Sequence, residues 1–239
     1  MLNVRRAVLD VIFPRWCVGC LGAVEAGPLT HVCEACVNQT VFSREPHCGS
    51  CGWPFPGAVS GARTCPNCLE LRPAFDEGRT GMLLAGAARA FIHDLKYHRG
   101  WHLRGDLRGL VRLARPLKNF AEGAVLVPVP LHPRRRRWRG FNQARWVADA
   151  LAAEAEVAGI VELLDRVRDT PTQTRLSRAG RAKNMENAFA LHPGAAVNSG
   201  TRYILVDDVY TTGATLNACA KVLRQAGVEQ VDVVSLGHG

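Results

Sequence analysis

The stretch that decides the fold is Tyr203-Ile204-Leu205-Val206-Asp207-Asp208-Val209-Tyr210-Thr211-Thr212-Gly213-Ala214-Thr215. An apolar strand runs into two acids, a threonine-rich loop follows, and a helix begins after the loop. Such a loop offers unpaired N–H groups and the positive end of a helix dipole to a phosphate. The glycine permits close approach of the backbone, and the carboxylates suit ribose hydroxyls or a magnesium shell. The stretch therefore predicts a phosphate site, although an ordinary strand–turn–helix with a threonine cap would share part of the pattern.

This stretch resembles the phosphoribosyl pyrophosphate (PRPP) motif of type I phosphoribosyltransferases. The resemblance implies an α/β fold with a parallel sheet flanked by helices. In that family the two acids contact the ribose hydroxyls and the loop holds the 5′-phosphate. Carried onto this chain, the first role falls to Asp207 and Asp208, as substrate-binding and catalytic residues, and the second falls to Thr211, Thr212, Gly213, Ala214 and Thr215. Bound PRPP would come with Mg²⁺.

A second segment, residues 127–143, is strongly basic. An apolar strand ends in prolines, five arginines follow, and Gly-Phe-Asn-Gln precedes a helix. Arginine suits phosphate because its planar fork pairs two oxygens at once. In phosphoribosyltransferases a loop at this place binds pyrophosphate, which implies that role for Arg135, Arg137, Arg139, Gly140, Phe141, Asn142 and Gln143, with Arg139 also catalytic. The mixture of arginine and aromatic residues also suits single-stranded nucleic acid, and a solvated basic loop is the alternative for the outer arginines.

A third segment, beginning at Thr170, is polar and basic. In phosphoribosyltransferases a flexible loop at this place closes over the reacting centre and excludes water. The resemblance assigns Thr170, Gln173, Arg181 and Asn184 to that loop. From composition alone, an ordinary surface loop fits equally well.

Eight of the nine cysteines form four CxxC pairs near the N-terminus. Two such knuckles at this distance make a four-cysteine zinc site. Pairing in sequence order predicts two structural zinc sites, one from Cys17, Cys20, Cys33 and Cys36 and one from Cys48, Cys51, Cys65 and Cys68. Interleaved pairing and iron–sulfur ligation are the alternatives. Because a segment of this size buries little core, metal binding would supply much of its folding energy.

Cysteine density divides the chain at about residue 75. We predict a short amphipathic helix and a double zinc ribbon over residues 1–75, and a phosphoribosyltransferase-like domain over residues 76–239. The second part alternates strand-like and helix-like segments, as a parallel α/β domain does. The expected strands cover residues 79–85, 124–129, 161–167, 203–206 and 231–236, and the expected helices cover residues 87–97, 103–114, 143–156 and 214–225.

The formal net charge is +9 and the pI about 9.4, which favours an anionic partner such as nucleic acid or phosphates. No apolar run is long enough to span a membrane, and no secretory cleavage site follows the N-terminal apolar stretch. We therefore expect a cytoplasmic protein without membrane insertion. Its reducing compartment disfavours structural disulfides.

The order of the motifs along the chain resembles a narrower family than the type I phosphoribosyltransferases as a whole. Four CxxC pairs precede His93-Asp94-Leu95-Lys96-Tyr97, then Pro-Val-Pro with Arg-Gly-Phe-Asn-Gln, Thr-x-x-Gln and Asp-Asp-x-x-Thr-Thr-Gly. This order resembles ComF-like proteins, which are associated with DNA uptake in naturally competent bacteria. The resemblance implies phosphoribosyl transfer from PRPP to an unidentified acceptor, with single-stranded DNA and DNA-uptake proteins as further partners. The alternative is a non-catalytic protein that binds single-stranded nucleic acid through the basic loop and the zinc ribbons.

Overall fold

The computed structural model describes residues 15–25, 27–57, 63–97, 100–169, 185 and 187–239. The strands are β1 (Gly78–Leu83), β2 (Val125–Pro128), β3 (Gly159–Ile160), β4 (Leu164–Arg166), β5 (Phe189–Leu191), β6 (Arg202–Tyr210) and β7 (Gln230–His238). Five of them form one parallel sheet in the order β1-β7-β6-β2-β3, and β4 pairs antiparallel with β5. The predicted α/β class, a parallel sheet flanked by helices, is confirmed.

The central strands are buried on both faces, as a parallel sheet requires. Successive side chains of a strand point to opposite faces. Accordingly, Ile204 and Val206 of β6 join one hydrophobic cluster, whereas Tyr203 and Leu205 join the other. The near-continuous apolar sequence of β6 thus supplies side chains to two separate cores.

Helices cover both faces of the sheet. They are α1 (Glu34–Asn38), α2 (Pro66–Leu71), α3 (Gly86–Tyr97), α4 (Arg104–Leu113), α5 (Arg115–Ala121), α6 (Pro133–Arg139), α7 (Gln143–Ala152) and α8 (Ala214–Gln225). The cluster on one face includes side chains of α3, α4, α5 and α7, and the cluster on the other includes those of α8. A short 3₁₀ turn at Trp101–Leu103 leads into α4.

The two halves of the cysteine-rich segment pack on different faces of the sheet. Val24, Leu29 and Val32, near the first four cysteines, belong to the cluster of α3, α4, α5 and α7. The last four cysteines and Phe75 belong to the cluster of α8. We call the two halves the first ribbon (residues 15–43, with the four cysteines up to Cys36) and the second ribbon (residues 46–75).

A buried carboxylate joins the first ribbon to α4. The backbone N–H groups of Thr30 and His31 donate to Asp106 over 2.6 and 2.8 Å, and Asp106 is 2 % exposed. We expect Asp106→Ala to lower the free energy of unfolding by about 3 kcal/mol, because two donors lose a charged acceptor. Urea unfolding measures this loss. The exposed control Glu156→Ala should stay within about 0.5 kcal/mol of the parent; equal values for the two variants would refute the assignment.

Two predicted elements were wrong. The strand expected over residues 161–167 shrinks to β4, and β4 pairs antiparallel with β5 outside the parallel sheet. The sheet-edge strand that pairs with β2 is β3, which ends before that range, at Ile160. The basic segment expected as a loop forms α6 instead. Pro133 suits the first turn of a helix, the His132 side chain accepts from the Arg134 N–H, and Gly140 ends the helix with a φ of 84°.

The N-terminal amphipathic helix and most of the third segment, residues 170–184, lie outside the described residues. In the part of the chain that is described, no helix combines the length and the apolar character needed to cross a membrane.

Candidate functional site

A cavity of about 260 Å³ opens where the carboxyl ends of β2 and β6 meet. Ligands of open α/β sheets bind at this edge. Its lining brings together two acids, four basic side chains and two threonines, namely Asp207, Asp208, Lys96, Arg135, Arg139, Arg166, Thr211 and Thr215. The excess of positive groups over acids suits a multiply charged anion.

The two acids lie within β6 rather than after it, because this strand continues to Tyr210. The Asp208 N–H donates to Oδ1 of Asp207 over 2.9 Å, and Lys96 Nζ lies 3.0 Å from Oδ2 of Asp208. Burial and the neighbouring Asp208 carboxylate raise the pKa of Asp207 to about 8, whereas the charge of Lys96 lowers it. Ionising both carboxyl groups at once is therefore unfavourable, and a cation bound beside them would make it less so.

The raised pKa of Asp207 makes the stability depend on pH. Its folded value, about 8, exceeds the ordinary value of 3.8, so between these limits the folded chain binds more protons than the unfolded chain. Stability from this group therefore falls as pH rises through that window. We expect the melting temperature to fall between about pH 6 and pH 8, the upper half of that window, where ordinary carboxylates are already ionised, and Asp207→Asn to remove part of the fall. Equal pH slopes for the two proteins in differential scanning fluorimetry would refute it.

The threonine-rich loop places the start of α8 at the cavity. Thr211 and Thr215 line the cavity, and Gly213 caps the helix with a φ of 77°. The Thr212 hydroxyl lies 3.5 Å from the Ala214 N–H. At the first turn of a helix, N–H groups have no intrahelical acceptor, so they are available to an anion. Of the predicted loop, Thr212, Gly213 and Ala214 form the turn itself rather than the cavity lining.

Helix α6 places some arginines of the basic segment at the cavity and others in solvent. Arg135 and Arg139 are four residues apart, which places them on one helix face, and both line the cavity. Arg139 lies over the Tyr97 ring, 5.9 Å from its centroid, and burial lowers its pKa. Arg137 is exposed and lies outside the lining. Arg135 and Arg139 therefore line the cavity that holds the acid pair, with Arg135 Nε also 3.8 Å from Oδ1 of Asp169, and Arg137 faces solvent.

The residues after α6 have different positions. Asn142 and Gln143 line the cavity, and Asn142 also donates to the Val129 carbonyl over 3.0 Å and caps α7. Gly140 ends α6, and Phe141 is buried against Trp146, with stacked rings 3.7 Å apart. Gly140 and Phe141 thus support the loop without lining the cavity. The flexible-loop residues Thr170, Gln173, Arg181 and Asn184 lie outside the described residues.

Arg166 is the cavity residue that the sequence reasoning missed. It ends β4, is 8 % exposed, and lies over the Phe189 ring at 5.4 Å. Burial lowers its pKa, and the charge of Arg135 lowers it further. One feature of the sequence could have identified it, since an arginine lies inside an otherwise strand-like run. A buried charge needs a partner or a ligand, so such an arginine is a candidate site residue.

The eight cysteines come together in two tetrads in sequence order. Within each tetrad all four sulfur atoms lie within 4.8 Å of one another. Backbone N–H groups of Gly19 and Cys33 point to the sulfur of Cys17, and that of Cys65 points to the sulfur of Cys48. Such donors favour thiolates, so both tetrads fit structural zinc with no open coordination position.

Comparison with known proteins agrees with this arrangement. A family model described as a double zinc ribbon domain matches residues 8–69. The chain is 31% identical to competence protein F of Haemophilus influenzae over 230 residues, covering 93% of this chain and 96% of that protein. It is 31% identical to DNA utilization protein YhgH of Salmonella typhimurium, covering 84% and 88%, and 28% identical to competence protein ComFC of Streptococcus pneumoniae, covering 74% and 81%. The chain therefore belongs to the competence protein F (ComF) family.

Proposed function

We propose that the chain binds PRPP with magnesium and transfers its phosphoribosyl group to an acceptor. The observation that carries this proposal is the single cavity that joins the acids Asp207 and Asp208, the threonine loop and three arginines. PRPP carries a phosphate at one end, ribose hydroxyls in the middle and a diphosphate at the other end. The cavity offers a matching group for each part.

Each part of the ligand has an assigned partner. The 5′-phosphate accepts from the loop at the start of α8, and the ribose hydroxyls donate to Asp207 and Asp208. The diphosphate faces Arg135 and Arg139, whose planar forks suit its oxygens. Magnesium bound with PRPP supplies positive charge to the diphosphate, and the two carboxylates would hold its water shell.

The transfer is a displacement at C1 of the ribose. A lone pair of the acceptor forms the new bond to C1 while the bond from C1 to the diphosphate oxygen breaks. The electron pair leaves with the diphosphate, and the acceptor loses its proton to solvent. Arg135 and Arg139 stabilise the charge that develops on the leaving group, and the low exposure of the cavity floor strengthens that effect. Lys96 and Tyr97, at the end of α3, border the side from which the acceptor would enter.

Fragment titration tests the binding step. We expect PRPP with magnesium to bind more tightly than ribose 5-phosphate or pyrophosphate, because only PRPP contacts the loop and the arginines together. Isothermal titration of the zinc-loaded parent with all three ligands measures the difference. Equal affinity for PRPP and pyrophosphate would refute the assignment of the threonine loop.

The names of the relatives support a biological setting. Two of them are called competence proteins and one a DNA utilization protein. We propose that this chain also takes part in the uptake or use of DNA. DNA-uptake proteins are then its expected partners.

A second candidate function is the binding of single-stranded DNA. Three aromatic side chains near the basic helix are exposed, with Tyr97 at 41%, Trp101 at 53% and Trp138 at 65%. Arg134 and Arg137 of α6 are also exposed. Exposed aromatic rings beside arginines form a stacking surface for bases, and the arginines neutralise the phosphates.

We expect Trp138→Ala to weaken binding of a labelled oligothymidylate about tenfold, because stacking on one aromatic contributes about 1–3 kcal/mol per base. Fluorescence anisotropy measures the affinity. Trp16→Ala is the matched control, since Trp16 is similarly exposed, at 57%, in the first ribbon. Equal losses in both variants, or affinity that does not fall with salt, would argue against this surface.

A further inference from the structure

The second ribbon packs directly behind the phosphate loop. Asn67 of α2 donates to the Thr212 carbonyl over 3.5 Å. The sulfur of Cys68 lies 3.6 Å from the Tyr210 hydroxyl, at the last residue of β6. A zinc ligand and its neighbour in sequence therefore contact the strand end and the loop that the proposed function assigns to the 5′-phosphate.

The second ribbon and the phosphate loop are also closely packed at Gly213. A Cβ atom at Gly213 would lie 2.3 Å from the Tyr210 hydroxyl and 2.7 Å from Cδ2 of Leu71, the last residue of α2. The Ala74 N–H donates to the side chain of Asn217 over 2.7 Å, which ties the end of the ribbon to the first turn of α8. Asn217 and Tyr210 are both buried, so these contacts have little room to adjust.

The first ribbon has no such contact among the described residues. It meets Asp106 of α4 through Thr30 and His31, and a Cβ at Gly19 would lie 2.6 Å from the Ala87 side chain of α3. Its hydrophobic residues belong to the cluster on the opposite face of the sheet from α8. The two ribbons, similar in their ligands, therefore differ in what they support.

We propose that the second ribbon positions the phosphate loop, so that zinc at Cys48, Cys51, Cys65 and Cys68 sets the affinity for the 5′-phosphate. The first ribbon stabilises the fold without this role. Zinc holds α2 through Cys65 and Cys68, and α2 in turn holds Tyr210 and the Thr212 carbonyl. A loop held in its binding conformation loses less entropy when it takes up the ligand. This inference rests on the proposed function.

Matched cysteine variants test the proposal. Cys36→Ser and Cys68→Ser each remove the last ligand of one tetrad. We expect each variant to hold one zinc per chain less tightly in a competition assay with a chromogenic chelator. Titration with ribose 5-phosphate and with pyrophosphate then separates the two ribbons. We expect Cys68→Ser to bind ribose 5-phosphate at least about tenfold more weakly and pyrophosphate nearly as the parent does, whereas Cys36→Ser keeps both affinities.

Two further variants keep all eight cysteines and cover the case in which Cys68→Ser does not fold. Asn67→Ala removes the contact with the Thr212 carbonyl, and Tyr210→Phe removes the hydroxyl beside Cys68. We expect both to retain two zinc ions, to weaken ribose 5-phosphate binding and to leave pyrophosphate binding unchanged.

The outcomes separate this inference from the proposed function. If the parent binds both ligands and the Cys68, Asn67 and Tyr210 variants bind ribose 5-phosphate as the parent does, the positioning role is refuted and the proposed function stands. Equal losses of both ligands would show general destabilisation and also refute it. A parent that binds neither ligand would overturn the proposed function and this inference together.

Discussion

The double variant Asp207→Asn/Asp208→Asn is expected to bind PRPP with magnesium at least about 100-fold more weakly than the parent. The magnesium that accompanies PRPP favours the ionised form of both acids. Each then accepts hydrogen bonds from ribose hydroxyls as a carboxylate, and a hydrogen bond to a charged group contributes about 1.5–3 kcal/mol. Both side chains lie at the cavity floor, where Asp208 is only 5 % exposed. Isothermal titration of the two proteins measures the loss.

A control that replaces two exposed carboxylates elsewhere in the chain separates the loss of the acid pair from a general effect of charge. Glu122→Gln/Glu156→Gln neutralises two exposed carboxylates that do not line the cavity. We expect this control to bind PRPP within about threefold of the parent, because exposed charges are screened by salt. If the two double variants bind alike, the acid pair is not part of the ligand site.

The second large effect is expected from the arginines of α6. Arg135→Met/Arg139→Met should weaken pyrophosphate binding about 100-fold, because both guanidinium groups face the cavity and form charge-assisted hydrogen bonds to phosphate oxygens. Methionine retains much of the apolar stem of arginine, so packing is largely kept. Titration with pyrophosphate measures the effect.

The outward face of the same helix supplies the control. Arg134→Met/Arg137→Met removes two positive charges from exposed positions. We expect this variant to keep pyrophosphate affinity within about threefold and to lose affinity for single-stranded DNA, since each phosphate contact adds to the salt-dependent part of that affinity. Loss of pyrophosphate binding in both variants would mean that net charge, not the cavity, attracts the ligand.

The centre of the fold and of the site was predictable from one continuous stretch. An apolar strand, two acids, a glycine turn and a helix follow one another without a gap, so local sequence determines their order and spacing. The helix predicted over residues 214–225 matches α8, and Thr211 and Thr215 both line the cavity. The acids, however, lie inside β6, because pairing with β7 extends the strand to Tyr210.

The basic segment was harder to interpret because its sequence does not reveal which arginines face inwards. A run of arginines after Pro133 has no apolar periodicity, so nothing marks it as a helix. Once α6 forms, the spacing of four residues groups Arg135 with Arg139 and separates both from Arg137. Arg166 enters the cavity from a different element, and tertiary packing alone brings it there.

The positions of the two ribbons on the sheet also could not be predicted from the sequence. The CxxC spacing predicts the two tetrads, since each knuckle is local. It does not indicate which face of the sheet each ribbon covers. That choice depends on contacts between distant residues, such as Asp106 with Thr30 and Asn67 with Thr212.

The most direct measurement is a crystal structure of the zinc-loaded chain grown with PRPP and magnesium. We expect the 5′-phosphate on the loop from Thr211 to Thr215, the ribose hydroxyls on Asp207 and Asp208, and the diphosphate facing Arg135 and Arg139. PRPP bound elsewhere, or bound here with its two ends exchanged, would contradict the proposed site.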